Sequence, residues 1–176
     1  MYSKQIKFIQ INLQHFRVAT NNLMKIIDDE KTDVLCLQET YVTQNKIVCI
    51  PRKLKIHIYG EGRHRAAIVV TNNQKNFFLL RQISDEGTLV LEAVSDKGKI
   101  IIASMYFDIN RQIEDDLIEI EALIHHAKGY GILLAIDSKS RSASWHDNQT
   151  NSRGRVLEEL LNSKHPHLMN EESKPY

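Results

Sequence analysis

Four polar residues stand where short apolar runs end: Asn12 after IKFIQI, Glu39 after DVLCLQ, Tyr106 after IIIASM and Asp137 after GILLAI. Singly, each has an ordinary explanation. Asparagine forms turns, an acid past a strand is commonly just solvated, and a tyrosine packs its ring with its hydroxyl in water. Together, two carboxylates, an amide and a phenol at the mouths of separate strands suit hydrolysis of a phosphodiester. Mg²⁺ is a hard cation that takes one or two carboxylates and keeps several waters, and Glu39 is the expected ligand. Asp137 would orient or deprotonate the attacking water, while Asn12 and Tyr106 would hold phosphate oxygens.

Such residues work only if the fold brings the strand ends together. Ile6–Ile11 and Asp33–Leu37 read as strands. Between them Leu23, Met24, Ile26 and Ile27 mark one side of a helix that ends near Asp28-Asp29-Glu30-Lys31. Strand, helix, strand suggests a right-handed crossover. Strand candidates then follow in close succession at 56–59, 66–71, 77–82, 88–94 and 99–106. Turn signals at Glu61-Gly62, Asn72-Asn73, Glu86-Gly87 and Asp96-Lys97-Gly98 separate them, so an antiparallel meander is predicted. A surface helix carries Ile113, Leu117, Ile120, Leu123 and Ile124 on one face; Gly131–Ile136 is a buried strand, and Val156, Leu157, Leu160 and Leu161 mark a last short helix. This order predicts an α/β (α+β) fold with two packed mixed or antiparallel sheets flanked by helices, a four-layer sandwich. In layered folds of this kind, the C-terminal ends of strands form the edge where ligands bind.

The chain's 176 residues suffice for one domain with a real core, and no repeat or linker divides it, so residues 1–176 read as a single domain. Hydrophobic residues make up 42% and charged residues 26%, which speaks against disorder, and a net charge of +1 neither demands nor excludes nucleic acid. Cys36 and Cys49 form no CxxC pattern, so no structural zinc is expected. Cys36, inside Val34-Leu35-Cys36-Leu37, reads as a buried free thiol. No apolar stretch approaches the roughly 18–20 residues of a membrane span, and MYSKQIKFIQ lacks the features of a signal peptide. An intracellular setting with no membrane partner is the expectation.

At this point the motifs resemble a known family. Ile11-Asn12-Leu13-Gln14, Leu37-Gln38-Glu39-Thr40, Ser104-Met105-Tyr106-Phe107 and Asp137-Ser138-Lys139 resemble, in order and spacing, the endonuclease/exonuclease/phosphatase superfamily. Within it they look like the apurinic-endonuclease-like domains of arthropod non-LTR retrotransposons. Ser144-Trp145-His146-Asp147, Thr150 to Arg155, Leu157-Glu158-Glu159 and Leu168 to Ser173 continue the likeness. The resemblance implies a metal-dependent DNA endonuclease whose nick primes reverse transcription, with Mg²⁺, or alternatively Mn²⁺, as cofactor. It would act in the nucleus if genomic DNA is the target. Carried over by position, Glu39 would bind the metal, Asn12 would contact phosphate or help orient the metal site, Tyr106 would hydrogen-bond the scissile phosphate, and Asp137 would handle the nucleophilic water. Trp145 and Arg153 would be substrate contacts, with Trp145 either a base-stacking platform or an anchor of its loop. The basic clusters Pro51-Arg52-Lys53-Leu54-Lys55 and Arg63-His64-Arg65 are candidates for DNA phosphates or plain solvated faces.

Two features depart from the family pattern. Its Asp-x-Asn motif has Lys139 in place of the asparagine, and lysine cannot both donate and accept as an amide does. Loss of one oriented transition-state donor costs on the order of 10²–10³ in rate, so impaired activity is expected. The family's terminal Ser-Asp-His motif is not reached before Tyr176, so a C-terminally truncated domain without its last strands is expected. None of the eight histidines is an evident substitute. Two other readings stay open: a non-catalytic truncated remnant that at most binds nucleic acid, and a superfamily member acting on a lipid or inositol phosphate.

Overall fold

The computed structural model describes residues 6–71, 76–95 and 98–170; the turn signals at Asn72-Asn73 and Asp96-Lys97 and the stretch Glu171-Glu172-Ser173 lie outside them. The elements in chain order are β1 (Phe8–Asn12), α1 (Arg17–Glu30), β2 (Val34–Gln38), β3 (Val42–Thr43), β4 (Lys46–Ile47), β5 (Lys55–His57), β6 (Ala66–Val70), β7 (Asn76–Leu79), β8 (Thr88–Ser95), β9 (Gly98–Tyr106), α2 (Ile113–His126), β10 (Gly131–Asp137) and α3 (Ser152–Lys164). They fall into two compact units interleaved along the chain. One holds the described residues up to Tyr106 together with His126–Asp137, and the other holds Phe107–His125 and the residues from Ser138 onward.

The first unit contains two four-stranded sheets, ordered β1-β2-β6-β5 and β10-β9-β8-β7. β1 is parallel to β2 and β10 to β9, whereas the remaining pairs are antiparallel, so both sheets are mixed. The period-2 alternation of strand side chains explains the layering. Val34 and Cys36 of β2 and Ala66, Ile68 and Val70 of β6 face Leu89, Leu91, Ile102 and Ala135 of the other sheet. The alternate residues, Leu35, Leu37, Ala67 and Val69, pack instead with Leu23 and Ile27 of α1. Both β2 and β6 are therefore buried on both faces, as their unbroken apolar runs require. Cys36 is one of these core residues, and burial pushes its thiol up to about 12. α1 ends as its sequence foreshadows: Lys31 adopts φ 49°, and its N–H closes the helix on the Ile27 carbonyl.

The expected single meander is split between the sheets. β6, apolar on both faces, takes an interior position between β2 and β5, and only β7, β8 and β9 run as a meander. β7 lies at an edge, with Phe77 buried and Phe78 exposed. It stops at Leu79 rather than continuing to Gln82, because a short 3-10 turn covers Arg81–Ile83. There the Ser84 hydroxyl donates to the Leu80 carbonyl at 2.8 Å and accepts from the Val90 N–H at 3.0 Å, which replaces ladder bonds. The small β3–β4 hairpin was not foreseen; Gln44 and Asn45 turn it with φ 51° and 58°, as a two-residue hairpin requires.

In the second unit, α2 carries Glu114, Asp115 and Asp116 in its first turn, the favourable sign for a helix N-terminus. α3 is capped by Asn151, whose side chain accepts from the Gly154 N–H at 2.7 Å. The Arg141 backbone crosses this first turn so closely that a Cβ on Gly154 would meet the Arg141 carbonyl oxygen at 1.9 Å. No helix among the described residues is long and apolar enough to cross a membrane.

Candidate active site

The inward-facing rows of the first unit change character along their length. Val34, Cys36, Gln38; Ile102, Ser104, Tyr106; and Leu133, Ala135, Asp137 each run from apolar to polar toward the C-terminal end of the strand, and on the edge strand β1 the same row runs from Phe8 to Asn12 through an exposed Gln10. In the ladders Asn12 is the partner of Gln38, and Asp137 the partner of Tyr106. Strand periodicity alone thus delivers an amide, a phenol and a carboxylate to one edge. Asn12, Tyr106 and Asp137 are the last residues of their strands, and Glu39 is the first beyond β2.

Three of the four meet directly. The Asn12 Nδ2 donates to Glu39 Oε2 at 2.7 Å and also to Asp137 Oδ2, so one amide bridges two carboxylates. The amide is oriented by its other end, since Asn12 Oδ1 accepts the Gln14 N–H at 2.7 Å. Glu39 is held in the left-handed region at φ 48°, where a non-glycine residue is costly. Two backbone bonds over-determine that conformation: its N–H donates to the Arg65 carbonyl at 2.8 Å, and its carbonyl accepts the His15 N–H at 2.8 Å. Tyr106 belongs to the same unit; its N–H donates to the Gly87 carbonyl at 2.8 Å, and the Arg65 guanidinium carbon lies 5.3 Å from its ring centre.

Two residues that carried no role in the sequence reading complete this edge. Gln38 is fully buried; its Nε2 donates to Ser104 Oγ at 2.9 Å and to the Ala135 carbonyl at 3.2 Å, while Ser104 Oγ donates to the Leu37 carbonyl at 3.0 Å. This polar bridge ties the two sheets together two residues before Tyr106 and Asp137 and one before Glu39. A glutamine closing an otherwise apolar run, Val34 to Leu37, was the signal available for it. His15 is the other. Its Nδ1 lies 3.0 Å from the Thr40 carbonyl, which can only accept, so Nδ1 carries the proton. Its Nε2 then faces Glu39 Oε1 at 3.9 Å, an ion pair whenever the imidazole is protonated.

Lys139, Trp145 and Arg153 belong to the second unit. Lys139, two residues past Asp137 in the chain, has φ 50°, a conformation that suits asparagine better than lysine. Trp145 is half-buried, and its indole N–H donates to the Ser140 carbonyl at 3.3 Å. Arg153 is largely buried and donates to the Arg111 carbonyl at 2.7 Å, to the Ser138 carbonyl at 3.4 Å and to Asp116 Oδ2 at 3.4 Å. Asp116 is fully buried, and its burial pushes the carboxyl up to about 6 despite the neighbouring Arg111 and Arg153. Of the basic clusters, Arg52, Lys53 and Lys55 are exposed before and at the start of β5.

The donor set at the edge fits Mg²⁺. Glu39 and Asp137 offer hard carboxylate oxygens around one amide, the one or two carboxylates such an ion takes while it keeps its waters. Among the described residues no group of three or more His, Cys, Asp or Glu side chains forms a metal cage.

Two mixed sheets with polar strand ends at one edge are the architecture of the endonuclease/exonuclease/phosphatase fold, and the chain has that fold. An endonuclease/exonuclease/phosphatase family protein from Leptotrichia buccalis superposes with a TM-score of 0.58 at 12% identity, over 91% of this chain and 73% of its own. The chain is similar at higher TM-score to the endonuclease domain of TRAS1, a telomere-specific non-LTR retrotransposon: 0.83 at 22% identity, over 95% of this chain and 74% of that one. The AP endonuclease LMAP from Leishmania major matches at 0.66 and 13% identity, over 89% of this chain and 66% of its own. No family model matches the chain, and no curated protein does.

Proposed function

We propose that the chain is a metal-dependent endonuclease domain of retrotransposon type that hydrolyses phosphodiester bonds in DNA, at a rate reduced by Lys139. The observation that carries the reading is the Asn12 amide bridging the Glu39 and Asp137 carboxylates at the edge where Tyr106 ends β9. The likeness to the TRAS1 endonuclease domain supports DNA as the substrate; genomic DNA, and with it the nucleus, is the setting this reading proposes. In this reading Glu39 holds Mg²⁺, or Mn²⁺ in its place. The ion, when bound, supplies positive charge to the phosphoryl oxygens and the leaving oxygen. Asp137 accepts a proton from the attacking water as the new bond to phosphorus forms and the bond to the leaving strand oxygen breaks. Asn12 keeps both carboxylates in place, and the Tyr106 hydroxyl donates to a phosphate oxygen.

Lys139 is the observation that favours a second reading, a scaffold that binds DNA without cutting it. Incubation with supercoiled plasmid, with Mg²⁺ and with EDTA, separates the two. Mg²⁺-dependent conversion to open circle that a Glu39→Ala variant loses supports the nuclease. Retardation of DNA with no nicking supports the scaffold, and equal nicking by Glu39→Ala removes this site from consideration.

A further inference from the structure

Arg65 immediately precedes β6, and its main chain is fastened to both sides of the site. Its carbonyl accepts the Glu39 N–H at 2.8 Å, and its own N–H donates to the Glu86 carbonyl at 3.0 Å. The next carbonyl along the chain, that of Gly87, accepts the Tyr106 N–H at 2.8 Å. Asp85 clamps this span, because its Oδ1 accepts from the N–H groups of Gly87 and Thr88, each at 2.7 Å. Position 87 is tightly packed: a Cβ there would come within 3.1 Å of the Tyr106 carbonyl oxygen, which would have to give by a few tenths of an ångström. Arg65 and Tyr106 therefore hang from adjacent carbonyls of one clamped turn, and this frame sets the guanidinium on the phenol ring, 5.3 Å from its centre.

A cation fixed by that much backbone does more than cover a ring. A guanidinium carries five N–H donors in one plane, in a fork that matches two oxygens of a phosphate, and an electrostatic contact with a ring leaves that fork shape intact. The site already holds the negative charge of Glu39 and Asp137, and a phosphodiester arriving there adds more, so a fixed cation in the same unit favours the anion's approach. We infer that Arg65 is a substrate-positioning residue: set over the Tyr106 ring, its guanidinium binds the DNA phosphate at this edge and holds the phenol toward it. The inference rests on the nuclease reading of the site. It separates Arg65 from Arg52, which belongs to the exposed basic segment ahead of β5.

The test is binding of a fluorescein-labelled DNA duplex by the full chain in EDTA, where no cleavage confuses the reading, across a salt series. Single-turnover nicking in Mg²⁺ runs in parallel. Removing one phosphate contact should flatten the slope of log affinity against log salt by about 0.9. Arg65→Gln is expected to show that flattening, with binding weakened by about an order of magnitude and nicking reduced further than binding. Arg65→Lys should keep the slope yet nick more slowly, because an ammonium lacks the planar fork. If Arg65→Gln melts early, Arg65→Met, which keeps the aliphatic stem, is scored by the same slope. A slope and affinity unchanged in the neutral variants, while the wild-type protein binds, would overturn the role of Arg65. A wild-type protein that neither binds nor nicks DNA would instead refute the nuclease reading, and with it this inference.

Discussion

Replacing Gln38 with leucine keeps most of the volume of a fully buried side chain and removes the polar bridge between the sheets. Two hydrogen bonds disappear, from Nε2 to Ser104 Oγ and to the Ala135 carbonyl. At about 1 kcal/mol net for each, plus part of the desolvation cost for the acceptors left behind, the loss is roughly 2–4 kcal/mol. Two features reduce it. Ser104 Oγ keeps its bond to the Leu37 carbonyl, and Gln38 Oε1, which has no hydrogen-bond partner among the described residues, leaves with the side chain. Relief of that oxygen is worth about 1 kcal/mol, so a destabilisation of about 1–3 kcal/mol is expected. Gln38→Ala adds a cavity and should cost about 1–2 kcal/mol more. Urea unfolding followed by circular dichroism reads both, with m-values compared so that a change in the denatured state is not mistaken for a loss of contacts. Because the bridge lies two residues before Tyr106 and Asp137, nicking by the folded Gln38→Leu protein should also fall, by about 10–10²-fold for a misplacement on the order of 1 Å. A leucine variant within 0.5 kcal/mol of wild type that nicks normally would show that the bridge does not set the site.

Other consequences follow from single residues. Lys139→Asn exchanges a lysine at φ 50° for a residue that tolerates that conformation, and it restores an amide; melting temperature should rise slightly and nicking by about 10²-fold. Gly154→Ala drives a methyl group into the Arg141 carbonyl, so thermal melts and limited proteolysis should show loss of more than about 3 kcal/mol or failure to fold. Asp116 gives a pH signature. Its carboxyl is raised from 3.8 to about 6 in the folded state, first by burial, so the native protein binds the extra proton between those values. Stability from this group is therefore present below about 4 and is lost as pH rises through about 6, a swing on the order of 2–3 kcal/mol. Urea titrations from pH 4 to 7 should show that fall in wild type and its absence in Asp116→Asn; parallel curves would contradict it.

Much of this was legible in the sequence for one physical reason. Strand side chains alternate, so a polar residue two places beyond the last inward apolar residue is delivered to the sheet edge, as in Leu133, Ala135, Asp137. The ends of the apolar runs therefore located Asn12, Tyr106 and Asp137. The doubly buried runs of β2 and β6 were equally readable, but their partners were not. The short link between β6 and β7 reads like the hairpin links at 60–65 and 80–87, yet β6 and β7 belong to different sheets, and only the two-faced burial of β6 decides that it sits beside β2. Gln38 and His15 were missed because their significance is long-range: the first bonds to residues 66 and 97 positions away, and the second reaches Glu39 through a left-handed turn at φ 56°. Arg153 sat in a recognisable motif, yet its three internal acceptors, drawn from positions 111, 116 and 138, are visible only in the fold.

The central claim is that the Asn12-bridged carboxylates form a metal-dependent phosphodiesterase centre. Its most direct test is the chemistry of the ends: supercoiled plasmid is treated with wild-type protein, Glu39→Ala and Asp137→Ala in Mg²⁺, then offered to a DNA polymerase with labelled nucleotides. Slow Mg²⁺-dependent nicks that the polymerase extends, reduced at least 10²-fold in both variants, are the result predicted. Nicks of equal yield in the variants, or none from wild-type protein above the EDTA control, would contradict it.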